Sequence, residues 1–384
     1  MGASKYFIGE GERNSTNFVL SLWIDRALKI ANTETVFHYR EDGMPVRYYF
    51  NRWNEFMERS MPLLTPGGVI LGLVFPSFFV GLRPAIPYLF GCMTFSGAIK
   101  LRGRELAAVF RTPRSLLLFF VGAHLLMPLL SFLVGSLGNP DEPAFTAGFV
   151  LLFSIPTAVS GFIWNTIFRG NGALSLSLIV LDTLLAPLVV PRTVALLMGT
   201  SVVIDMGGLT LSLVSMVVIP TILGVLAHEL SRGEVPRFMG PYLNPFAKLF
   251  LILVVAANSA AVAPSLKVTD PAVYRIAFLA LVLGFCGFWL GSFLARLGKL
   301  PADQQRTLVF SVGLRNISAA ATLAIAFFPE KAALPAIIGM VFQQSMASVA
   351  GRLLLGKPTA FSDSSAEGQD PLRSVSTHNN HERR

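Results

Sequence analysis

Long runs of apolar residues constrain the fold of this sequence more than any other feature. Residues 207–227, 245–265 and 272–295 each hold about 20 positions with almost no charge, enough to cross about 30 Å of hydrocarbon as a helix. Of the 384 residues, 53% are hydrophobic and only 14% are charged, whereas soluble proteins carry about 25% charged residues. The sequence therefore predicts an all-α polytopic membrane protein.

The charges between the apolar runs set the predicted topology. Loops with even numbers are basic, whereas loops with odd numbers are acidic or nearly neutral. Because basic loops stay in the cytoplasm, both termini are predicted to lie there, in the cell (inner) membrane of a bacterium. The same pattern explains the net charge of +9 without binding of nucleic acid. The ten predicted transmembrane helices are 62–82, 84–101, 113–137, 143–165, 172–191, 207–228, 245–265, 272–295, 306–328 and 332–353. The cations of the even loops are Lys100, Arg102, Arg104, Arg111, Arg114, Arg169, Arg232, Arg237, Arg296, Lys299 and Arg306, and the isolated cations of the odd loops are Arg83, Arg192 and Lys267.

Three regions follow from this pattern. Residues 1–61 form a cytoplasmic or interfacial tail, in which VRYYFNRWNEFMERSM predicts either a helix at the membrane interface or a solvated helix that covers the bundle. Residues 62–353 form the transmembrane domain. Residues 354–384 are polar and short of aromatics, which predicts a disordered cytoplasmic tail. The first residues lack the apolar core of a signal peptide, and they contain acids that transit peptides usually lack.

Interruptions occur in two of the predicted spans. Ten spans divide into two sets of five, so the second set must be inserted upside down relative to the first. This is the layout of inverted-repeat transporters, whose substrate sites lie at broken helices near the midplane. The fourth span contains Pro156, Ser160 and Gly161, and the ninth contains Gly313 and Asn316. The breaks fall in corresponding spans, which predicts a 5+5 inverted repeat with a binding site at the breaks.

Arg315 is the most informative side chain, because an arginine at membrane depth costs several kcal/mol unless it is used. Arg315 either faces a central cavity or pairs with an internal acid, and the two roles are compatible. In a cavity it would bind an anionic substrate or replace a coupling cation. Asp182 is the one acid of the first five spans that is not near a span edge. It is the predicted partner, and its protonation would break the pair and offer a route to proton coupling.

His124 is the third ionisable residue at depth. Imidazole titrates near neutral pH, so His124 is either a proton relay or a hydrogen-bonded packing residue. Uncharged polar groups in the spans either line the site or bond one helix to another. These residues are Ser160, Asn165, Ser175, Asn316, Ser318, Gln343 and Gln344.

Motifs of catalysis are missing from the sequence. There is no HExxH, no GxSxG, no phosphate loop and no cluster of acids with histidines, so we predict no enzyme activity, no cofactor and no metal centre. A channel would need a filter motif or a charged ring, and neither is evident. A channel or a non-transporting receptor nevertheless remains the alternative class. Cys92 and Cys286 give no disulfide framework or metal spacing and are predicted to be packing residues.

Three stretches resemble the bile acid:sodium symporter family. They are VGLRN followed by AFFPEKAALPAIIGMVFQQ, RGNGALSLSLIVLDTLLAPLVVP, and MTFSGAIKLRGRELAAVFRTPRSLLLFFVGAHLLMPLLSF, and the resemblance covers residues 60–353. It implies a panel domain (spans 1, 2, 6 and 7) and a core domain (spans 3–5 and 8–10), in which spans 4 and 9 unwind and cross. It also implies alternating-access transport of an organic anion through the cavity between the domains, with two sodium ions behind the crossing.

Several positions depart from the sodium-binding members of that family. Ser311 stands where they usually have glutamate, and Arg315 where they often have glutamine, although some bacterial relatives also carry arginine. Of the implied ligands, the Ser175 hydroxyl and backbone carbonyls such as those of Val312 and Leu314 remain. A fixed cation about 5 Å from a sodium ion repels it by about 3 kcal/mol at an effective dielectric constant of about 20. The other changed ligand positions are Ala123, Gly161, Phe162 and Ile179.

The arsenite-permease branch shares this fold and has a similar pattern of proline, phenylalanine and tryptophan, here Pro156, Phe162 and Trp164. Its members carry a cysteine directly after the proline, where this chain has Thr157. An arsenite-permease-like carrier therefore remains an alternative, although this chain lacks the thiol of that branch.

The prediction is a secondary active transporter of a small organic anion in the lipid bilayer. We expect weak or absent sodium dependence, with proton coupling or exchange instead.

Overall fold

The structure is a computed structural model of the chain and describes residues 45–103, 110–202, 204–264, 266 and 269–356. The predicted tails up to residue 44 and from residue 357 lie outside the described residues, as do Arg104 and Lys267. The chain divides into two units, Met1–Tyr49 and Phe50–Arg384. Residues 45–49, the described part of the first unit, begin the first helix.

Helices make up nearly all of the described residues, in agreement with the predicted all-α class. Seven of them are long and apolar enough to cross a membrane, and shorter apolar helices lie at Leu63–Val74, Pro143–Ser154 and Ile317–Phe327. This part of the chain contains no strand, only one isolated bridge between Thr157 and Arg315. The helices are α1 (Pro45–Val74), α2 (Pro76–Ala98), α3 (Pro113–Gly138), α4 (Pro143–Ser154), α5 (Ser160–Ile167), α6 (Gly172–Met198), α7 (Met206–Leu230), α8 (Glu234–Val262), α9 (Pro271–Leu297), α10 (Ala302–Gly313), α11 (Ile317–Phe327) and α12 (Glu330–Leu355).

The fourth predicted span is broken between α4 and α5, where the sequence indicated. α4 ends at Ser154 because Ile155 precedes Pro156 and takes up an extended conformation, as residues before proline generally do. The next helix begins at Ser160. Every residue of α4 from position 144 to position 154 is buried, so this half-helix is surrounded by protein instead of lipid.

The ninth predicted span is broken between α10 and α11. α10 ends at Gly313, and the Asn316 side chain caps α11 by accepting a hydrogen bond from the Ala319 backbone N–H. Asparagine is among the preferred residues at this position, because its side chain satisfies an N–H that has no helical partner. Residues 307–313 are all buried. Both breaks therefore follow half-helices that are packed on all sides.

The first helix boundary differs from the prediction. The sequence placed a loop at Arg83, whereas the helix breaks at Phe75, between α1 and α2. Pro76 explains the difference, because proline has no backbone N–H and disfavours a helical conformation in the residue before it. Arg83 lies instead in a 3-10 turn, Val80–Ala85, inside α2. The helix predicted for VRYYFNRWNEFMERSM and the start of the first span form one continuous helix, α1.

The remaining contacts place α2 against α7 and α8, α9 against α10 and α12, and α3 against α4. Small residues allow the closest approaches, as in other membrane helix pairs. A Cβ atom at Gly291 of α9 would lie 2.5 Å from the Leu308 carbonyl oxygen of α10. This glycine therefore lets α10, which ends at the second break, pack directly against the backbone of α9.

Candidate functional site at the two helix breaks

The two breaks lie side by side and are joined through their backbones. On either side of the isolated antiparallel bridge, the Ala158 N–H donates to the Leu314 carbonyl oxygen (3.2 Å), and the Asn316 N–H donates to the Pro156 carbonyl oxygen (2.9 Å). Backbone groups released by a broken helix need a new partner at membrane depth, because no bulk water is there to replace the helical bond. Each break supplies that partner to the other.

Asp182 of α6 supplies the acid of the site, and its side chain is 1% exposed. His124 Nε2 lies 2.7 Å from Oδ1. The other carboxylate oxygen, Oδ2, lies 2.8 Å from the Thr157 backbone nitrogen and 2.9 Å from the Thr157 hydroxyl oxygen. A buried carboxylate is tolerated when it is paired and hydrogen-bonded, and Asp182 meets both conditions.

Arg315 supplies the cation, and its side chain is also 1% exposed. Its Nη1 atom lies 3.8 Å from Asp182 Oδ2, so the pair suggested by the sequence is present as an ion pair, at a distance too long for a hydrogen bond. The guanidinium instead donates to the carbonyl oxygens of Ala123 (3.0 Å) and Ile155 (3.3 Å). Its Nε has no hydrogen-bond partner among the described residues.

His124 lies in an unusually wide turn of α3. Residues Val121–Leu126 are π-helical, and such turns are rare and are often found at functional sites. The imidazole packs beside the Phe119 and Phe120 rings, at centroid distances of 6.0 and 5.4 Å. Its Nδ1 is buried without a partner among the described residues. Pro128 is the visible sequence signal, because it cannot donate the helical bond to the carbonyl four residues earlier.

Thr157 was missed as a site residue by the sequence reasoning, which noted it only because it is not a cysteine. Its hydroxyl oxygen lies 2.8 Å from the Ser311 carbonyl oxygen and 2.9 Å from Asp182 Oδ2. A hydroxyl has one proton to donate, and a carbonyl can only accept. Thr157 therefore satisfies Asp182 when the carboxylate is ionised, and it satisfies Ser311 when a proton on Asp182 makes the carboxyl group the donor.

Other predicted site residues lie around this network. The Gln343 side chain of α12 donates to the Arg315 carbonyl oxygen (2.6 Å). Asn316 forms the cap described above, and its Oδ1 also accepts from the Ser318 hydroxyl (3.0 Å). Ser311, Val312 and Leu314 are buried beside the second break.

Among the described residues, three predicted site residues form no side-chain hydrogen bond with this network. Asn165 accepts from the Thr307 hydroxyl (2.9 Å) and links α5 to α10. Ser160 is half-buried at the start of α5. Ser175 is buried on α6, about two turns before Asp182 and on the same face. The structure therefore joins Arg315, Asp182 and His124 to Gln343 and the second break.

A small cavity borders the network beside Arg315 and Gln343. Its volume is ≈ 20 Å³, which is room for about one water molecule. A larger cavity of ≈ 310 Å³ lies elsewhere, between α2, α7, α8 and α11. In this conformation, Arg315 is therefore buried among backbone carbonyls and does not face a substrate-sized space.

The described residues contain no group of three or more His, Cys, Asp or Glu side chains that could hold a metal ion. The carbonyl oxygens of Ala123 and Ile155 are the kind of ligand that sodium uses, since hard cations prefer oxygen. Both already accept hydrogen bonds from Arg315. The guanidinium thus uses one lone pair of each of these two oxygens beside the breaks.

Comparison with known proteins gives several matches. A family model described as the Sodium Bile acid symporter family matches residues 87–267. The "Uncharacterized protein YbaS" of Bacillus subtilis (strain 168) is 37% identical over 294 residues, which is 77% of this chain and 96% of the relative. The "Uncharacterized sodium-dependent transporter YocS" of the same organism is 26% identical over 281 residues, 73% of this chain and 86% of the relative. The "Probable sodium/metabolite cotransporter BASS1, chloroplastic" of Arabidopsis thaliana is 26% identical over 310 residues, 78% of this chain and 75% of the relative. The matching family and the named cotransporters are transporters and not enzymes.

Proposed function

The chain belongs to the sodium bile acid symporter family, and from this premise we propose that it is a secondary active transporter of a small organic anion. The observation that carries the proposal is the pair of broken spans, α4–α5 and α10–α11, whose breaks hydrogen-bond to each other. Secondary transporters bind substrates and coupling ions at such breaks. The breaks supply backbone groups and polar side chains that an unbroken apolar helix would not.

We also propose that the membrane domain is a 5+5 inverted repeat with ten spans and both termini in the cytoplasm. Seven long helices and three shorter apolar ones are present among the described residues. Ten spans would follow if each shorter helix, together with α5 or α10 where a span is broken, completes one crossing. The breaks fall in the fourth span of each half. α1, α2, α7 and α8 would form the panel domain, and α3–α6 and α9–α12 the core domain. The packing of α2 against α7 and α8 supports this division.

The coupling ion we propose is the proton. The names of two relatives favour sodium, but this chain carries Ser311 in place of the family's usual glutamate. Arg315 also occupies two carbonyl oxygens that a cation could use. A sodium ion about 5 Å from the guanidinium would be repelled by about 3 kcal/mol at an effective dielectric constant of about 20. Arg315 would thus supply permanently the positive charge that sodium supplies in other members.

Asp182 would carry the coupling proton. In the ionised form it accepts from Thr157, lies 2.7 Å from His124 Nε2 and is compensated by Arg315. In the protonated form, Oδ2 would donate to the Thr157 hydroxyl, and that hydroxyl would turn to the Ser311 carbonyl on α10. Protonation would therefore redirect the Thr157 hydroxyl proton from Asp182 on α6 to the Ser311 carbonyl oxygen on α10, and the bond between Thr157 and Asp182 would reverse its direction. The protonation state of Asp182 would thus change the hydrogen bonding between the two broken spans.

Uptake of labelled organic anions into proteoliposomes tests the transport function. We expect saturable accumulation that is driven by an inward proton gradient. Conductance without saturation would instead indicate a channel, and binding without any uptake would indicate a receptor. Uptake of arsenite in place of organic anions would favour the arsenite-permease branch.

Replacement of sodium by choline at constant pH tests the coupling ion. We expect little change in the initial uptake rate. We further expect that Asp182→Asn abolishes accumulation driven by the proton gradient, while the exchange of labelled for unlabelled anion continues. Asp141→Asn is the matched control, because Asp141 is an exposed acid outside the spans. A large loss of uptake in choline would overturn proton coupling.

A further inference from the structure

Two lysines lie close together just beyond the end of α2. Lys100 follows that helix, which ends at Ala98. Burial, and then repulsion from Lys248 of α8, lowers the pKa of its ammonium group. Glu58 of α1 attracts Lys100, but less strongly than Lys248 repels it. Lys100 forms no hydrogen bond and no ion pair with another described residue. Its positive charge is therefore left without a counter-ion in this part of the protein.

Lys248 is held in place by α1. Its Nζ atom donates to Asn54 Oδ1 (2.7 Å), to the Asn54 carbonyl oxygen (3.3 Å) and to Glu58 Oε2 (2.9 Å). An ammonium group has three N–H donors, so this one has none left for a ligand. The Glu58 side chain is 47% exposed, and water screens its charge. Lys248 therefore acts on Lys100 as a fixed positive charge, and Lys100 is the cation with free donors.

The two lysines lie at the depth of the phospholipid head groups. The spanning helix α2 has 23 residues, which make about 34 Å of helix and match a hydrocarbon core of about 30 Å. Lys100 comes two residues after its end. Adjacent turns of α1 and α8 carry aromatic rings in contact, Trp53 with Phe246 (5.4 Å) and Phe50 with Tyr242 (5.1 Å). Tryptophan and tyrosine are enriched at the boundary between membrane and water, so the rings indicate the same depth.

We propose that Lys100 and Lys248 form a binding site for the phosphate group of an anionic phospholipid. The phosphate would accept hydrogen bonds from the Lys100 ammonium group, and the charge of Lys248 would add to the attraction. Basic pockets between membrane helices bind anionic head groups in this way. The bound phosphate would also reduce the repulsion between the two lysines. This inference concerns the lipid surroundings of α1, α2 and α8, and it does not depend on the transport function.

The charge of the site predicts which phospholipids it selects. The phosphate of phosphatidylglycerol has no cation of its own and would compensate Lys100. Phosphatidylcholine carries a quaternary ammonium group beside its phosphate, and Lys248 would repel that group. The site should therefore prefer phosphatidylglycerol over phosphatidylcholine with the same acyl chains.

Lipid binding by the purified full-length protein tests this preference. The protein is delipidated in a neutral detergent, and dissociation constants are measured from lipid-dependent thermal stabilisation. The probes are dioleoyl phosphatidylglycerol, dioleoyl phosphatidylcholine and glycerol 3-phosphate, which is a head group without chains. We expect phosphatidylglycerol to bind about tenfold more tightly than phosphatidylcholine, and glycerol 3-phosphate to give no stabilisation at the same concentrations. Equal affinity for the two lipids would overturn the proposal. Equal affinity for phosphatidylglycerol and glycerol 3-phosphate would overturn it in favour of a soluble phosphate.

A pair of lysine variants separates this site from the general charge of the surface. Lys100→Gln should reduce the preference for phosphatidylglycerol from about tenfold to about twofold or less. Lys299→Gln is the matched control, because Lys299 is also an exposed lysine two residues after the end of a spanning helix, α9. This control should keep the preference of the parent protein. An equal loss in both variants would indicate diffuse attraction to the surface and would overturn the site.

Glu58→Gln gives an effect of the opposite sign. The substitution removes the negative charge beside Lys248 but keeps a side-chain oxygen that can accept its hydrogen bond. We expect the affinity for phosphatidylglycerol to rise about threefold, while the affinity for phosphatidylcholine stays the same or falls. An unchanged or lowered affinity for phosphatidylglycerol would show that the charge of Lys248 does not attract the lipid, and would overturn the two-lysine site.

Discussion

At the scale of single residues, the main feature of the site is a pair of buried charged side chains, Asp182 and Arg315. Asp182 Oδ2 and Arg315 Nη1 are 3.8 Å apart, a distance at which two unit charges attract by about 4 kcal/mol at an effective dielectric constant of about 20. No hydrogen bond joins them directly. The attraction is therefore mainly Coulombic, whereas His124 and Thr157 supply the directional bonds.

A double-mutant cycle tests the ion pair. Asp182→Leu alone should lower the free energy of unfolding by about 3–5 kcal/mol, because it leaves the buried guanidinium uncompensated. The double variant Asp182→Leu with Arg315→Met should recover most of that loss but should not transport. Thermal unfolding in detergent gives the coupling energy. The pair of Glu142 and Lys331, whose side chains are 33% and 53% exposed, is the control, with an expected coupling below about 1 kcal/mol. Additive effects at Asp182 and Arg315 would exclude their interaction.

A second prediction concerns the Thr157 hydroxyl. Thr157→Val keeps the side-chain shape and the backbone N–H but leaves Ser311 and Asp182 without their shared partner. We expect a loss of about 1–3 kcal/mol in unfolding free energy and a large fall in uptake rate. Thr157→Ser retains the hydroxyl and should stay close to the parent in both measurements. If the valine variant transports normally, Thr157 has no part in coupling.

At the scale of helices, the second break depends on how α11 begins. Asn316→Ala should remove the cap and reduce stability by about 1 kcal/mol, and it should also reduce uptake because α11 starts at the crossing. Asp270 caps α9 in the same way, by accepting from the Ala272 N–H. Asp270→Ala should therefore cost a similar amount of stability in thermal unfolding while uptake stays normal. Equal effects on uptake would argue against a special role for the second break.

Lys100, just after the end of α2, gives a pH-dependent prediction. Burial, and then repulsion from Lys248, lowers the pKa of its ammonium group although part of the side chain is exposed. A lowered pKa means that the folded protein binds this proton less tightly than the unfolded chain does. Stability should therefore rise with pH between the folded pKa and the ordinary value of 10.5. Lys100→Gln should flatten that part of a thermal-stability profile, and an unchanged slope would contradict the assignment.

At the scale of the whole molecule, the proposed inverted repeat requires alternate loops to face opposite sides of the membrane. Cys92 and Cys286 are both free and can be replaced to give a cysteine-free background. In that background, Asp141→Cys should react with an impermeant maleimide added to intact cells. Arg232→Cys should react only after the membrane is opened. Both positions are exposed in the structure, so poor access would not explain a difference. Labelling of both from the outside would overturn the proposed topology.

The sequence alone determined the features that depend on local chemistry. Apolar runs predicted the membrane helices because transfer from water to lipid is a property of each segment by itself. Pro156 and Gly313 marked the two breaks because proline and glycine act on the backbone next to them. The same local reasoning could have found the break at Phe75, since Pro76 follows it. It failed there because the apolar run continues through the break.

Only the tertiary structure decided which groups meet. The sequence suggested Asp182 and Arg315 as partners, because two costly charges at similar depth should compensate each other. It could not show that His124 and Thr157 provide the hydrogen bonds to Asp182, or that Lys100 and Lys248 lie close together. These residues come from different helices, far apart along the chain. Their distances are set by how the helices pack, and a contact between distant residues leaves no mark on the sequence around either one.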